Sequence, residues 1–346
     1  MDILRARGTP SAYQVAFPAL RFCVWTEGGF DQPDCGAAAL AVFDAVMESL
    51  GREIGYLTLV KPTADKRIRL TRATLKKREE ARAAVAAGMP VHRYLKAAAK
   101  TMSDEGTERV GLPGFSLSHI PGGPGFVGLE IPWEHPAATG LIARLHQIMD
   151  GVPLVAGVCG YGFAMAPGDF GQYKLPPAHL RFRTALMAQM ELLSREVRYD
   201  APFVQMRRLY QRRDAKGATI PEAELFDYET GLPDIGWRTY LGADLSARVD
   251  AQEGRETKLA ALIAQGGAME ERAGHRVVTA SPAPVWGDLN AGESITGYIA
   301  ARAYLEPALA SRSIRLLSAP CHDTSDKDRM REAEAYVDRF KEEEDA

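Results

Sequence analysis

The chain has 346 residues, of which 46% are hydrophobic and 25% are charged, with a formal net charge of −3 and a pI of about 6.2. This composition is typical of a globular protein with a substantial core, and it lacks the strongly basic balance of nucleic-acid-binding domains. No apolar run approaches the roughly 20 residues that span a bilayer, and the start of the chain lacks the basic-then-apolar order of a secretory signal. We therefore expect a cytoplasmic protein.

The four cysteines are scattered along the chain without any Cys-x-x-Cys pair: Cys23, Cys35, Cys159 and Cys321. Cys159 lies in an apolar run, where a buried thiol behaves as a small hydrophobe. A disulfide framework is not expected in a chain of this length and compartment, so we predict reduced, structural cysteines.

The first part of the chain predicts strands that alternate with helices. Residues 20–26 form an apolar run typical of a strand, and Asp34 is a candidate N-cap for a helix over 35–50, where apolar residues recur at spacings of three and four. A second strand is predicted at 54–60. Basic residues then dominate 61–78, which we interpret as a solvated helix surface, because no aromatic residues accompany them.

A hairpin and a long apolar strand are predicted next. Residues 115–120 and 126–133 alternate like strands and are joined by a Pro-Gly-Gly-Pro-Gly loop. A helix is predicted from Pro136 to about residue 150, followed by a buried strand at 153–165. A longer helix is predicted at about 178–198, with Leu186 on its apolar face.

The second part begins with a charged segment at 199–235, basic in its first half and acidic in its second. The stretch 235–245 is strand-like and leads to a predicted helix at about 256–272. A strand is predicted at 275–285. The tail at 325–343 is predicted to be a charged amphipathic helix, with Phe340 on its inner face.

One order of elements occurs twice. Residues 137–190 and 256–307 each predict a helix, an apolar strand, a Gly-Asp turn and a second helix. This repetition predicts an α/β (α+β) fold of two related strand–helix–strand units, packed together and covered by amphipathic helices. We predict a first unit at 1–200, a charged bridging segment at 201–235, and a second unit at 236–346 that includes the C-terminal helix.

The stretch 284–307 contains the most distinctive polar corner of the chain. Its turn, Gly287-Asp288-Leu289-Asn290, follows an apolar run and precedes a predicted helix. Small polar side chains and glycines in such a turn bond nearby backbone amides, so we predict a structural role. The structural residues that we single out are Trp237, Tyr240, Trp286, Gly287, Asp288, Asn290 and Tyr298.

Enzymatic chemistry has few signals in this sequence. No His-Glu-x-x-His motif, Gly-x-Ser-x-Gly elbow, phosphate-binding loop or dinucleotide fingerprint occurs, so we predict no catalytic residue, no metal ligand and no cofactor. A metal-dependent hydrolase remains an alternative if a site forms from distant residues, for example His119, Asp169 and His179. A third interpretation is a nucleic-acid adaptor that uses the basic residues of 61–78.

Several stretches together resemble the TsiV-type family of type VI secretion immunity proteins. They are Gly236–Gly242 (GWRTYLG), Pro284–Gly292 with its GDxN turn, Tyr298–Pro307, the GYGFA sequence at 160–164, and the hairpin at 115–133. The resemblance covers roughly residues 20–310. It implies a non-enzymatic, cytoplasmic antidote, monomeric or a small homo-oligomer, that binds a toxin delivered between bacteria. For this family the implied toxin is a VRR-Nuc-type DNA nuclease.

An inhibitor of a nuclease can fill a basic, DNA-binding cleft with negative charge. The acidic half of 199–235 is the best candidate for such a contact, with two aromatic residues as anchors. The predicted toxin-binding residues are Glu222, Glu224, Phe226, Asp227, Tyr228 and Glu229. The basic 61–78 segment, the 199–235 segment and the charged C-terminal helix depart from the family pattern, so the identity of the toxin stays open.

Overall fold

A computed structural model describes residues 16–61, 64–90, 94–99, 112–119, 123–165, 181–186, 231–232, 234–309, 335–336 and 338–341. Over these ranges the strands form one ten-stranded sheet in the order β3-β2-β4-β5-β6-β1-β7-β8-β10-β9. Neighbouring strands pair antiparallel, and helices pack against the sheet. The predicted mixed class of helices and strands is therefore confirmed as α+β.

The elements of the first half are β1 (Ala16–Thr26), α1 (Pro33–Leu50), β2 (Tyr56–Lys61), β3 (Ala64–Arg69), α2 (Lys76–Ala86), β4 (Tyr94–Ala98), β5 (Gly114–His119), β6 (Gly125–Pro132), α3 (Ala138–Ile148) and β7 (Leu154–Met165). The elements of the second half are β8 (Arg238–Leu241), α4 (Ala243–Asp250), α5 (Arg255–Ala264), β9 (Ala268–Arg272), β10 (His275–Thr279), a 3₁₀ turn (Leu289–Ala291) and α6 (Thr296–Leu305). In the described ranges, no helix is both long enough and apolar enough to cross a membrane.

The centre of the sheet is the long strand β1, which pairs with β6 on one side and with β7 on the other. Both of its faces are buried, as expected for a strand with a continuous apolar run. Phe22 and Val24 are fully buried on one face, with Cys159 of β7 beside them, and Cys23 and Trp25 are buried on the other face. Burial raises the pKa of the Cys159 thiol to about 12, so this cysteine is an inert core residue.

Helices α1 and α3 pack on the Phe22 face of the sheet, where Phe43 contacts Phe115 and His146 contacts Tyr240. Helix α1 contacts α2 on one side and α3 on the other. Ion pairs join these helices: Arg82 bonds Asp44 at 2.7 Å, and Arg144 bonds Glu48 at 2.6 Å. These side chains are partly exposed, so the buried apolar residues beneath them provide most of the stabilisation.

The predicted units contribute adjacent parts of this sheet. Strands β1–β7 lie together, and β8, β9 and β10 continue the sheet from β7. The connection is the β7–β8 pairing, in which Gly157 is opposite Tyr240. The division into units at 201–235, and any duplication, stay predictions.

Most predicted strands of the first half are confirmed, namely those at 20–26, 54–60, 115–120, 126–133 and 153–165. The predicted start of α1 is wrong. Gln32 is the N-cap, Pro33 occupies the first turn, and Asp34 lies inside the helix. A proline at the first helical position loses no hydrogen bond and has a suitable φ, which explains the earlier start.

The basic segment 61–78 is only partly helical, because residues 64–69 form β3 and α2 starts at Lys76. β3 is the terminal strand on its side of the sheet. Charged residues are frequent on such strands because they discourage pairing with other chains. The pattern of basic residues alone did not distinguish this strand from a solvated helix.

The predicted helix at 256–272 is too long, because α5 ends at Ala264 and β9 follows. Gly266 has φ of +82°, a conformation that ends a helix with little strain in glycine. The predicted strand at 275–285 also ends early, at Thr279, before Pro282. The sequence interpretation did not identify α4.

The predicted helix at 178–198 is contradicted over 182–186. There Leu186 forms a bridge with Gly162 of β7, and Phe182 forms a bridge with Asp288. Backbone pairing with two other segments outweighs the helical spacing of the apolar residues. We call residues 181–186 the strap.

Candidate functional site

The polar corner at Gly287–Asn290 is a capped turn. The Asp288 carboxylate accepts a bond from the Asn290 amide at 3.0 Å and is the N-cap of the 3₁₀ turn. In return, the Glu293 carboxylate accepts the Asp288 amide at 3.0 Å. This reciprocal arrangement resembles a capping box, and it satisfies amides at the start of the turn. Asn290 contributes its backbone amide to the turn, and the structural role of the Asp288 and Asn290 side chains stays a prediction.

Asp288 also fixes the strap to the corner. Both oxygens of its carboxylate accept hydrogen bonds from Arg181, at 2.8 Å from Nε and 2.7 Å from Nη2. The bidentate Arg181 guanidinium holds the pKa of Asp288 below its ordinary value. A proton on Asp288 would therefore weaken this contact, and the carboxylate at neutral pH is committed to a structural bond.

Gly287 allows the strap to approach closely. Its φ is +59°, and a Cβ at this position would lie 2.8 Å from Cγ2 of Thr184 and 3.0 Å from the Thr184 amide. The strap amides donate to the corner, from Arg183 to the Gly287 carbonyl at 3.1 Å and from Thr184 to the Trp286 carbonyl at 3.3 Å. Glycine is thus required both by conformation and by the space available.

Trp286 is the centre of an aromatic cluster beneath the corner. It stacks on Tyr161 at 5.0 Å between ring centroids and lies 5.8 Å from Trp133. Phe163 and Phe182 complete the cluster, at 5.4 Å and 5.9 Å from Trp286. Trp286 is buried, whereas Trp133 and Tyr161 are partly exposed. The GYGFA sequence thus supplies two rings that pack against the corner.

The remaining predicted motif residues lie in the core. The indole N–H of Trp237 donates to the Ser281 carbonyl at 2.7 Å. Tyr298 is buried against Phe340, with ring centroids 5.4 Å apart, and burial raises its pKa. Each of these side chains packs or bonds within the scaffold.

Tyr240 belongs to a separate polar contact in the core. Its hydroxyl lies 3.3 Å from Nδ1 of His146, whose Nε2 lies 3.0 Å from Nη2 of Arg272. Arg272 can only donate, so Nε2 of His146 accepts its hydrogen bond. Nδ1 therefore carries the ring proton and donates a hydrogen bond to the Tyr240 hydroxyl. Burial, with Arg238 and Arg272 nearby, lowers the pKa of His146 to about 4. The imidazole is therefore neutral at physiological pH.

The proposed ligands of a scattered metal site are not shown together. Asp169 and His179 lie outside the described residues. Nδ1 of His119 accepts the Phe30 amide at 3.3 Å, so Nε2 carries the proton and donates to the Met89 carbonyl at 3.2 Å. His119 also stacks on Phe30. Within the described ranges, no three His, Cys, Asp or Glu side chains are grouped as metal ligands.

The predicted toxin-binding residues Glu222, Glu224, Phe226, Asp227, Tyr228 and Glu229 lie outside the described residues. Asp234, the last acidic residue of the same run, is described, and it is buried. Its carboxylate pairs with Arg339 at 2.7 Å, with the two side chains 2% and 3% exposed. Tyr336 donates to the second carboxylate oxygen. Asp234 is thus a structural residue.

Arg339 and Tyr336 of the C-terminal segment contact the strap, and the ion pair with Asp234 holds Arg339 in place, contacts that the sequence analysis missed. Arg339 donates from Nε to the Arg183 carbonyl at 2.8 Å, and the Tyr336 hydroxyl oxygen, whose single proton goes to Asp234, lies 3.1 Å from the Ala185 carbonyl oxygen. Phe340, predicted on the inner face of this segment, is buried. No signal pairs Asp234 with Arg339, because they lie 105 positions apart in the sequence and nothing in either local pattern indicates a partner.

Comparison with known proteins adds the fold relationship. The chain matches no protein-family model and no curated protein. It shares its fold with a solved bacterial protein. That structure is the Pseudomonas aeruginosa T6SS protein PA0821, with a TM-score of 0.67 and 15% sequence identity, and the match covers 99% of this chain and 88% of that chain. At this identity the likeness establishes the common fold.

The match extends over nearly the whole chain, since it covers 99% of its residues. In this chain, the bonds around Asp288 and the packing around Trp286 hold together elements of the scaffold. Differences in binding between proteins of this fold are expected on surfaces outside this scaffold.

Proposed function

We propose that this protein is a cytoplasmic, non-enzymatic immunity protein that binds and neutralises a cognate type VI secretion effector. The observation that carries the proposal is the fold shared over 99% of the chain with a T6SS protein. The sequence resemblance to the TsiV-type family, carried by the stretches around Trp237, Asp288 and Tyr298, points to the same system. The first support rests on backbone geometry and the second on local motifs.

The geometry of the corner supports a binding role over a catalytic one. The Asp288 carboxylate bonds Arg181 and the Asn290 amide, so its acceptors are directed within the molecule. A general base or nucleophile needs a group that can reach a substrate proton or a reacting atom. The corner instead joins the strap to α6 and leaves binding to other surfaces.

We further propose that the effector is a VRR-Nuc-type DNA nuclease, as the family resemblance implies. A cleft that binds DNA is basic, and acidic groups on an inhibitor would occupy it and accelerate association. The predicted acidic residues Glu222, Glu224, Asp227 and Glu229 are candidates for this contact. In this proposal the immunity protein acts by steric and electrostatic occlusion and needs no cofactor.

Co-expression tests the proposal. The candidate effector is the product of the reading frame next to this gene. It is expressed from an inducible promoter, with or without this protein, in a bacterial host. We expect the protein to restore growth and to protect chromosomal DNA. Growth arrest that persists despite soluble expression of the protein would contradict the immunity function.

Two variants locate the contact within this experiment. Reversal of the four charges at 222, 224, 227 and 229 to lysine is expected to reduce protection, whereas Asp288→Ala is expected to protect as well as the natural sequence at permissive temperature. Unchanged effector affinity after the fourfold reversal would show that the acidic segment is not the contact.

A further inference from the structure

Strand β9 is an open edge of the sheet. It pairs with β10 on one side, and within the described residues no strand pairs with its other side. Both Glu270 and Glu271 are exposed, although they point to opposite faces of the strand. An edge of this kind presents backbone donors and acceptors to another chain.

The pairing register indicates which backbone groups face outward. A two-residue turn, Ala273–Gly274, separates the opposed residues Arg272 and His275. Hydrogen-bonded and non-hydrogen-bonded pairs alternate along an antiparallel ladder, and the pair that closes a two-residue hairpin is hydrogen-bonded. The N–H and C=O groups of Glu271 and Met269 are therefore directed towards the open side. These groups can accept one added strand.

The charge that this edge presents is negative. Glu271 pairs with Arg276, but the carboxylate side chain is 60% exposed and the arginine only 6%. Glu270 pairs with Arg272, with exposures of 47% and 26%. Asp150, also paired with Arg272, is 47% exposed. Arg276 is buried and Arg272 is only partly exposed, so the carboxylates are the more exposed members of these pairs.

The other end of the sheet provides a contrast. Strand β3 has the sequence ADKRIR, so the opposite edge is basic in composition. Pairing of β9 with β9 of a second copy about a two-fold axis at Glu270 would place this glutamate opposite its own copy, and like charges directly opposite destabilise a sheet. Charge complementarity therefore favours a basic, extended segment as the occupant of the β9 edge.

We propose that β9 is a docking edge that accepts an extended, basic segment of the effector as an eleventh strand of the sheet. This inference rests on the proposed immunity function and adds the partner's chemistry and its mode of binding. Backbone hydrogen bonds from Met269 and Glu271 would provide affinity, and the exposed carboxylates would select lysine and arginine side chains. The same surface would occupy basic residues that the effector needs for DNA.

Hydrogen–deuterium exchange on the complex tests the docking mode. The full-length protein is compared alone and with the effector encoded next to this gene. We expect the amides of Met269 and Glu271 to become protected in the complex, while the amides of β3 exchange as in the free protein. Absence of any complex would contradict the proposed function. A complex in which the β9 amides exchange as before would overturn only the docking edge.

A pair of charge variants gives a second, matched test. Glu270→Arg with Glu271→Arg is compared with Asp34→Arg with Glu79→Arg, which changes the net charge equally at exposed positions far from β9 in the sequence. Arg276 keeps its bonds to Asp250, at 2.9 and 3.0 Å, so the first variant leaves no buried arginine without a carboxylate. We expect the β9 variant to weaken effector affinity by at least roughly tenfold and the control to change it little.

The measurement is a binding titration at two salt concentrations, with thermal unfolding as the check on folding. Equal affinity of the two variants would overturn the proposal. Sedimentation velocity of the protein alone adds one further outcome. Self-association that disappears in the β9 variant would identify a second copy as the occupant, and it would also overturn the proposal.

Discussion

Two arginine–aspartate pairs lie at the strap, and they differ in burial. One includes Arg181 of the strap, and the other includes Arg339, which donates to the Arg183 carbonyl of the strap. Arg339 and Asp234 join at 2.7 Å with side chains 3% and 2% exposed, whereas Arg181 and Asp288 join at the same distance with exposures of 40% and 15%. Breaking a buried pair leaves a charge without water or partner, and breaking a partly exposed pair does not. Although the N···O distances of the two pairs are equal, we therefore expect loss of the carboxylate to cost more at the buried pair.

The two pairs also differ in how far the local sequence indicates the role of their aspartate. Asp288 lies in a Gly-Asp-x-Asn turn that is recognisable by itself, and its partner Arg181 adds to a role that the turn already suggests. Asp234 ends a run of acidic residues that is typical of a solvated surface. We therefore expect Asp234, which the local pattern does not single out, to affect the free energy of unfolding more than Asp288, which the pattern does single out.

The largest effect is expected for Asp234→Ala. This substitution leaves Arg339 buried without its carboxylate, and we expect a loss of about 3–5 kcal/mol in the free energy of unfolding. Urea denaturation followed by tryptophan fluorescence measures it. The double variant Asp234→Leu with Arg339→Met is expected to recover much of the loss, because both charges are gone. A loss below 1 kcal/mol for Asp234→Ala would show that the pair is solvated.

An intermediate effect is expected from the neutral contact between His146 and Tyr240. The folded pKa of His146 is about 4 and the ordinary value is 6.5, so below pH 6.5 the unfolded chain binds a proton that the folded chain excludes. Stability should therefore fall as the pH drops through this window, by roughly 3 kcal/mol at pH 4 from this group alone. Arg238, Arg272 and His275 face the same imidazole and disfavour its proton.

The difference between the natural sequence and His146→Gln isolates this contribution from other titrating groups. Urea denaturation from pH 7 to pH 4 is expected to show a shallower loss of stability for the variant. Parallel pH profiles for the two proteins would show that His146 titrates as it does in the unfolded chain.

The smallest effect is expected for Asp288→Ala, roughly 0.5–2 kcal/mol, from loss of the cap and of a partly exposed ion pair. Asp288→Asn keeps an oxygen acceptor for the Asn290 amide and should lose less. The same denaturation assay measures both. A loss for Asp288→Ala as large as that for Asp234→Ala would remove the distinction between the two pairs.

Much of the fold could be predicted from sequence where elements are apolar and regular. The strands at 20–26 and 153–165 and the hairpin at 115–133 follow from apolar composition and turn residues alone. The edge strands were missed. Strand β3 is charged and β9 continues a helical pattern, because an edge strand is specified by its neighbour more than by its own residues.

In the candidate site too, local contacts could be predicted from sequence and contacts between distant segments could not. The turn chemistry of Asp288 and the packing of Trp286 were predictable, since they depend on local residue types. The strap was predicted as a helix, because its apolar spacing is helical and its pairing with Gly162 and Asp288 is nonlocal. The partner-binding surface was predicted from charge at 222–229, whereas the open β9 edge requires knowledge of the strand order and of which arginines are buried.

The central claim is that this protein neutralises a nuclease effector by binding it. The most direct measurement is DNA cleavage by the purified effector as the full-length protein is titrated into the reaction. The account predicts that cleavage stops when the protein reaches a stoichiometric amount, and that Asp288→Ala inhibits to the same extent at a temperature where it is folded. Undiminished cleavage in the presence of excess folded protein would contradict the account.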